Sequence, residues 1–265
     1  MTPKVALATS TLLSDLIASD EVYFRLAART VPLPHGELVY TPDLIAVPAA
    51  CVVQAVEFQG SAADAEKWVC MVESEVRAVG GRVCRVYLRE ADQALASVFA
   101  SRGYRQRTET AFCEDPRHLG LTSKVRFKPT LSDLDWAERR RMHEEAPDNS
   151  DGYETDPAAW CELMRRKCET GVKESFLIEY EGRICGSIGA IQMPGLLRLK
   201  NIIIRPAFRR QGLAAEAVRE LAALTHSRGL GALGVFGIEG DSGASLYAAA
   251  GFSVIGAQIE WSRRL

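Results

Sequence analysis

The spacing of hydrophobic residues in the second half of the chain changes between strand-like and helix-like patterns. Apolar and polar residues alternate over "KVRFKPT", residues 124–130, which predicts a strand. The next segment predicts a helix from the spacing of four residues, Leu131, Leu134, Ala137 and Met142. A second helix is predicted for "PAAWCELMRRKCETG", because the segment begins with proline and ends with glycine. One strand and two helices therefore open this half.

Three strands and a longer helix follow. The segment "SFLIEYEGRICGSIGAI" predicts a hairpin that turns at Glu181-Gly182, and "LLRLKNIII" predicts a third strand. The helix "LAAEAVRELAALTHSRG" carries one apolar side, made of Leu213, Ala217, Leu221 and Leu224. A strand "ALGVFGI", a short helix "SGASLYAAAG" and a strand pair "FSVIGAQIEWSRRL" complete a mixed α/β domain.

The first half repeats part of this order when it is shifted by 148 residues. Gly81 then falls on Gly229, "CRVYLRE" falls on the strand at 232–238, and "VFASRGY" falls on "LYAAAGF". The preceding segments "VVQAVEF" and "AEKWVCMVESEVRAVGG" predict a strand and a helix, as in the second half. An internal duplication explains this agreement most economically. The polar, turn-rich segment "EDPRHLGLTS" is a suitable linker, and we predict domains at residues 1–117 and 124–265.

The composition agrees with two modest globular domains and names no partner. The 265 residues are 47% hydrophobic and 25% charged, and the formal net charge is −2. This charge provides no global basic field for nucleic acid or an anionic membrane, so neither partner is expected. The N-terminal residues lack the layout of a signal peptide, and no apolar run is long enough to span a membrane. We therefore expect a cytoplasmic protein.

The cysteines and histidines do not predict a metal site. The seven cysteines contain no C-x-x-C pair, which argues against a zinc site or a disulfide framework. Cys161 and Cys168 could share a helix, but no histidine stands at ligand spacing from them. The four histidines are dispersed, and only His143 lies near a possible substrate loop. We expect no metal.

The segment "RPAFRRQGLAAEAV" joins a predicted strand to the start of a predicted helix. The first amide groups of a helix are unpaired and favour an anion, which the backbone of Gly212 can approach closely. Arg209 and Arg210 add positive charge suited to phosphate. A helix cap with two solvated arginines is the alternative interpretation. The segment matches neither a P-loop nor a G-x-G-x-x-G dinucleotide motif.

Two motifs in this half together resemble one family. "RRQGLA" is similar to the R/Q-x-x-G-x-G/A loop of the GNAT superfamily of acyl-CoA-dependent N-acetyltransferases, and the downstream "LYAAAGF" resembles its L-Y-x-x-x-G-F segment. The resemblance implies an α/β (α+β) fold with two GNAT-like domains, each a mixed, mostly antiparallel sheet flanked by helices. It implies acetyl-CoA as co-substrate. The residues implied in cofactor binding are Ile202, Ile203 and Ile204 for pantetheine, and Arg209, Arg210, Gln211, Gly212, Leu213 and Ala214 for the pyrophosphate.

The resemblance also assigns a proton donor, whereas the base is less clear. Tyr247 would protonate the departing CoA thiolate; the alternative is a core tyrosine. The strand before the loop contains no acid, although many family members have a glutamate there. Glu239 and Asp241 follow the next strand and are candidate bases, directly or through water, or else caps of the next helix. Gly240 replaces an asparagine that contacts CoA in many relatives.

The first copy lacks these features. Phe99 stands at the position of Tyr247, and "SAADAE" stands at the position of "RRQGLA". Asp64 and Glu66 therefore replace Gly212 and Ala214, and carboxylates at a helix N-terminus would repel a pyrophosphate. We predict no CoA site in domain 1–117. Its role is either to form part of the acceptor site or to stabilise the catalytic domain.

The expected activity is direct transfer of an acetyl group to a primary amine. The acceptor is a small molecule or a peptide, and the protein is a monomer or a homodimer. A non-catalytic acyl-CoA sensor or scaffold is the alternative. The segment 144–160 contains the acidic residues Glu144, Glu145, Asp148, Asp151, Glu154 and Asp156. These either attract a cationic acceptor or form solvated loop charge.

Overall fold

The computed structural model describes residues 3–145 and 153–265. Its helices are α1 Pro3–Arg25, α2 Ala62–Ala78, α3 Gln93–Ser101, α4 Asp133–Glu145, α5 Pro157–Glu169, α6 Leu213–Ser227 and α7 Ser242–Ala250. Its strands are β1 Arg29–Leu33, β2 Gly36–Tyr40, β3 Cys51–Val56, β4 Val83–Leu88, β5 Arg105–Glu114, β6 Arg126–Pro129, β7 Lys173–Tyr180, β8 Arg183–Met193, β9 Leu196–Ile204, β10 Ala232–Ile238 and β11 Ser253–Arg264. No helix among these residues has the length and hydropathy required to cross a membrane.

The chain forms two compact units, and each one includes a terminal segment from the other half of the sequence. Unit 1 comprises residues 1–19 and 110–256, and unit 2 comprises residues 20–109 and 257–265. These units differ from the predicted ranges 1–117 and 124–265 at both ends of the chain. The differences arise because Leu16 of α1 packs with Leu196 in unit 1, while the end of β11 pairs with β4 in unit 2.

The sheet of unit 1 has the strand order β6, β7, β8, β9, β10, followed by the unit 1 residues of β5. Strands β6 to β9 pair antiparallel, whereas β9 and β10 pair in parallel. One face packs under α6 through a core that includes Ile188, Leu197, Leu199, Ala217 and Leu221. Because side chains alternate across a strand, Ser187, Gly189, Arg198 and Lys200 lie on the other face.

The sheet of unit 2 has the order β1, β2, β3, β4, followed by the unit 2 residues of β11 and β5. Here β3 and β4 pair in parallel, while β1–β2, β2–β3 and β4–β11 pair antiparallel. Residues of α2 and α3 pack on this sheet, among them Trp68, Val72, Leu95 and Phe99. The predicted mixed α/β class is therefore confirmed for both units.

The order of elements in the two units repeats at the predicted offset. Shifted by 148 residues, β3, α2, β4, α3 and β5 overlap β9, α6, β10, α7 and β11. Each repeat contains a parallel strand pair joined by the longer helix, and a shorter helix follows the second strand. The two halves therefore share one supersecondary unit.

Most predicted elements of the second half are present, including the hairpin at Glu181-Gly182, where both residues have positive φ. The predicted apolar side of α4 is wrong, because Leu131 precedes the helix at 81% exposure and Leu134 is 82% exposed. Of the predicted residues the helix buries Met142, and it also buries Trp136, Arg139 and His143. Because two of these are polar, the hydrophobic spacing in the sequence does not reveal this face.

The predicted strand pair at the C-terminus is also wrong, since residues 253–264 form the single strand β11. Gly256 lies within this strand, and its missing Cβ has a packing role. A Cβ there would lie 2.5 Å from a methyl group of Leu13. Close approach of α1, which the sequence analysis did not predict, therefore explains this glycine.

Candidate functional site

The N-terminus of α6 has no side-chain cap. Gly212 is the N-cap residue and has φ 76° and ψ 4°, in the left-handed region that glycine adopts without strain. Apart from its chain neighbours, no described residue has an atom within 4 Å of a Cβ placed on Gly212, so this side of the loop is open toward them. The amide groups at the start of a helix have no intrahelical acceptor and carry partial positive charge. This helix end therefore has the properties of an anion site.

The side chains of the loop stabilise its shape. Arg209 Nε donates to the carbonyl of Ile204 at 3.0 Å, and Gln211 Nε2 donates to the carbonyl of Ala207 at 3.4 Å. Arg210 has φ 60°, which is uncommon for a residue with a side chain. Both arginines are exposed. The loop thus presents backbone amides at the helix start and arginine charge at its surface.

The strand before this loop separates from its parallel neighbour. Pairing of β9 with β10 covers Leu196–Arg198 and Ala232–Gly234, and it does not extend to Ile202, Ile203 and Ile204. The opposite edge of this segment stays paired with β8, where Ile204 faces Gly186 and Ile203 faces Ser187. The backbone edge of residues 202–204 toward β10 is consequently available to an extended ligand. This cleft leads to the N-terminus of α6.

A β-bulge interrupts β9 at Asn201. Gly189 faces Lys200 and Ser187 faces Ile203, so both Asn201 and Ile202 lie opposite Ile188. Asn201 has φ 56°, a conformation that asparagine tolerates better than most residues. Ser187 Oγ and Asn201 Oδ1 are buried and lack a hydrogen-bond partner among the described residues. Sequence analysis missed these residues, although asparagine in the apolar run "LKNIII" is unusual for a strand.

Tyr247 lies on α7 and is 4% exposed. Its ring contacts those of Phe112 and Phe252, each at a centroid distance of 5.9 Å. Burial raises the pKa of Tyr247 above its usual value, the charge of Asp241 raises it further, and Arg198 opposes the shift. The phenol therefore stays protonated at neutral pH, as a proton donor must.

The two candidate bases lie at the exposed end of β10. Asp241 is the N-cap of α7, and its carboxylate accepts from the amide of Ser242 at 2.8 Å. This is the capping arrangement that the sequence left as an alternative. Glu239 is exposed, one residue before Gly240, which has φ 82°. Neither position places a carboxylate inside the cleft.

Several acidic residues of segment 144–160 have partners within the chain. Glu144 pairs with Arg140 at 2.9 Å, Glu145 pairs with Arg205 at 2.6 Å, and Asp156 caps α5. Asp148 and Asp151 lie outside the described residues. The His143 ring contacts Trp160 with a centroid distance of 3.9 Å. Among the described residues, no group of His, Cys, Asp and Glu side chains forms a metal site.

The equivalent positions in unit 2 differ in each respect. Ser61 and Asp64 form a capping box at the start of α2, in which Ser61 Oγ accepts from the Asp64 amide and the Asp64 carboxylate accepts from the Ser61 amide. Strands β3 and β4 remain paired up to Leu88, the last residue of β4. Phe99 is fully buried and stacks on Trp261.

Comparison with known proteins agrees with this geometry. Residues 131–252 match the family model described as the Acetyltransferase (GNAT) family. Residues 131–252 are therefore similar to this family. Members of this family use acetyl-CoA as co-substrate, and the family supports acyl-CoA-dependent N-acetyltransferase activity in general. No curated protein sequence matches the chain significantly.

Solved structures share the fold beyond the segment 131–252. A GCN5-related N-acetyltransferase from Kribbella flavida has a TM-score of 0.62 and 16% identity, over 97% of this chain and 94% of that one. A tandem GNAT protein from the clavulanic acid biosynthesis pathway has a TM-score of 0.59 and 12% identity, over 99% and 96%. A functionally unknown conserved protein from Staphylococcus epidermidis has a TM-score of 0.67 and 9% identity, over 90% and 95%. At these identities, the likeness shows the fold.

Proposed function

We propose that this protein transfers the acetyl group of acetyl-CoA directly to a primary amine, and that unit 1 alone carries the site. The observation that best supports this proposal is the continuity of two features. The unpaired edge of β9 at residues 202–204 leads to the uncapped N-terminus of α6. An extended amide arm that ends in a pyrophosphate matches this combination, because strand edges bind amides and helix starts bind anions.

Different residues of the cleft bind different parts of the cofactor. The backbone of Ile202, Ile203 and Ile204 pairs with the pantetheine arm, and the amides from Arg209 to Ala214 bind the pyrophosphate. Gly212 matters more than the arginine charges, because its left-handed conformation orients the loop. Arg209 supports the same conformation through its hydrogen bond to Ile204.

The chemistry requires two proton movements. The neutral amine attacks the thioester carbonyl carbon to form a tetrahedral intermediate, and the carbon–sulfur bond then breaks to release the CoA thiolate. Tyr247 donates its phenolic proton to this thiolate, and solvent subsequently restores the phenol. Glu239 is exposed and does not lie inside the cleft. It therefore removes the proton of the attacking amine through a bridging water.

Acceptor-dependent thiol release tests this function. The full chain is incubated with acetyl-CoA and a panel of primary amines, and free thiol is measured beside calorimetric titration with CoA. We expect CoA binding together with thiol release that depends on at least one amine. CoA binding without acceptor-dependent thiol from any amine would instead support the sensor or scaffold, which the absence of an acid on β9 favours. No CoA binding would exclude both functions.

A further inference from the structure

The sheet face of unit 1 opposite α6 is rich in buried cations. We call it the polar face and define it by Lys173 and Ser175 on β7, Ser187 and Gly189 on β8, and Arg198 and Lys200 on β9. Lys173 and Arg198 are each 1% exposed, and the facing helices add Arg139 and Lys167, at 0% and 1%. Arg139 donates to Ser175, which ties α4 to this face. Charged side chains are rarely buried, so this concentration of them on one sheet face is unusual.

Lys173 is the most informative of these cations. Its ammonium donates to Cys168 Sγ at 3.5 Å and to the carbonyl of Glu174 at 3.4 Å. Burial lowers the pKa of Lys173 to about 8, the positive charges of Arg139 and Lys200 contribute to the shift, and Cys168 opposes it. A buried ammonium next to other cations is costly without an anion.

Gly189 provides the space for this ammonium. A Cβ on Gly189 would lie 3.1 Å from Lys173 Nζ and 2.8 Å from the Lys200 carbonyl. Ser175, Gly189 and Lys200 lie side by side on three neighbouring strands. The Lys173 side chain extends over Gly189, the central residue of these three. The two lysines therefore approach each other over the sheet.

The next row toward the end of β9 contains a polar atom of a different kind. Ser187 is fully buried, and its hydroxyl has no hydrogen-bond partner among the described residues. A hydroxyl can accept a hydrogen bond from a protonated or neutral amine. Ser187 faces Ile203, which lies in the segment where the proposed function positions the acyl arm.

We infer that the acceptor is a small amine that also carries an anionic group, with its amine at Ser187 and its anion at Lys173 and Lys200. This inference rests on the proposed function and specifies its acceptor. Successive same-face positions of a strand are separated by about 7 Å. The amine and the anion should therefore be only a few bonds apart, as in an amino acid or a phosphorylated amino alcohol.

Matched acceptors test the inference. Each pair differs in the anion alone: glycine against glycinamide, 4-aminobutyrate against its amide, and O-phosphoethanolamine against ethanolamine, with putrescine as a dication. Thiol release gives kcat/KM for each acceptor. We expect kcat/KM for the best anionic amine to exceed that for its uncharged partner by at least about tenfold, because charge-assisted hydrogen bonds are stronger than neutral ones. The phosphate and carboxylate arms identify which anion is preferred.

Two variants show which residues recognise the anion. Lys173→Gln should raise KM for the preferred anionic amine by about tenfold, leave kcat/KM for its uncharged partner within about twofold and preserve CoA affinity. Lys200→Gln should act in the same direction. The control is Lys124→Gln, which changes an exposed lysine of the same unit and should change none of these values.

Each other outcome contradicts a defined statement. If CoA binds but uncharged amines or putrescine are acetylated as well as the anionic amines, the inference is wrong while the proposed function stands. Equal losses for charged and uncharged acceptors in Lys173→Gln would likewise assign that lysine a structural role. If no amine releases thiol, the proposed function fails and the inference fails with it.

Discussion

The first turns of α2 and α6 occupy equivalent positions in the two repeats, yet their chemistry is opposite. At α2, Ser61 and Asp64 satisfy each other's amides, and Asp64 places a carboxylate at the helix start. Hydrogen bonds from the Ser61 side chain and amide lower the pKa of Asp64. At α6, Gly212 provides neither a cap nor a charge. A capped helix end contributes to stability, whereas an uncapped end keeps its amides for a ligand.

The strands and the short helices extend this contrast. Pairing reaches the end of β4 in unit 2, while β9 and β10 separate after Arg198 and Gly234 in unit 1. Phe99 packs in an aromatic cluster, but Tyr247 at the equivalent position adds a hydroxyl. Unit 2 thus has the repeat with its helix start capped and its parallel strands paired, and we propose that unit 1 keeps the same repeat open to acetyl-CoA.

The largest expected effect on activity comes from giving α7 the phenylalanine that α3 has at the equivalent position. Tyr247→Phe removes the proposed proton donor and should lower kcat about 100-fold, with CoA affinity within about twofold and little loss of stability. Steady-state thiol release and calorimetry measure both quantities. Tyr104→Phe is the matched control, because it removes a buried hydroxyl that bonds to Glu73 in unit 2. An unchanged kcat in Tyr247→Phe would contradict the assigned role.

A smaller loss should follow when the start of α6 is given the carboxylate of α2. Gly212→Asp should weaken CoA binding about 30-fold, because it adds negative charge beside the pyrophosphate and strains a residue at positive φ. Gly212→Ala keeps the strain without the charge and should cost no more than about fivefold. Calorimetric titration with CoA measures both variants. Equal losses in the two would mean that charge at the helix start is unimportant.

The pH dependence of stability tests the contrast between the buried charges of the units. In unit 2, Glu260 is held by Arg85 and Arg107, whereas Lys173 in unit 1 is surrounded by cations. The pKa of Lys173 is about 8 in the folded state and lies below its unfolded value. Between these values the unfolded state binds more protons, so stability rises with pH.

The measurement compares wild type with Lys173→Gln in urea at pH 7 and at pH 10. From the lower to the higher pH, the free energy of unfolding of wild type should rise relative to the variant by roughly 1–3 kcal/mol. The comparison removes the contribution of other titrating groups. A constant difference between the two proteins would show that Lys173 is not a costly cation in the folded protein.

The smallest effect is expected at the cap of α2. Ser61→Ala should lower the free energy of unfolding by about 1 kcal/mol, because Ser61 satisfies an amide at the helix start. CoA affinity and kcat should not change. Urea denaturation measures the loss, and Ser97→Ala on α3 is a control in which a hydroxyl bonds only to a carbonyl of its own helix. A loss of CoA affinity in Ser61→Ala would indicate that CoA binds to unit 2, which would contradict the proposed site in unit 1.

The sequence predicted those backbone features of the candidate site that depend on neighbouring residues. The helix start at Gly212, the turn at Glu181-Gly182 and the repeat depend on glycine positions and local periodicity, which neighbouring residues determine. The bulge at Asn201 and the polar face depend on pairing between distant strands. From the sequence alone, charged residues such as Arg139, Lys167 and Lys173 are expected at the surface. They are buried because α4 and α5 pack on the sheet.

The number of CoA molecules bound per chain tests the central claim most directly, which is that unit 1 alone retains a cofactor site. Calorimetric titration of the full chain with CoA should give one site per chain, and that site should weaken in Gly212→Asp but persist in Ser61→Ala. Two sites per chain, or a single site with unchanged affinity in Gly212→Asp, would contradict the account.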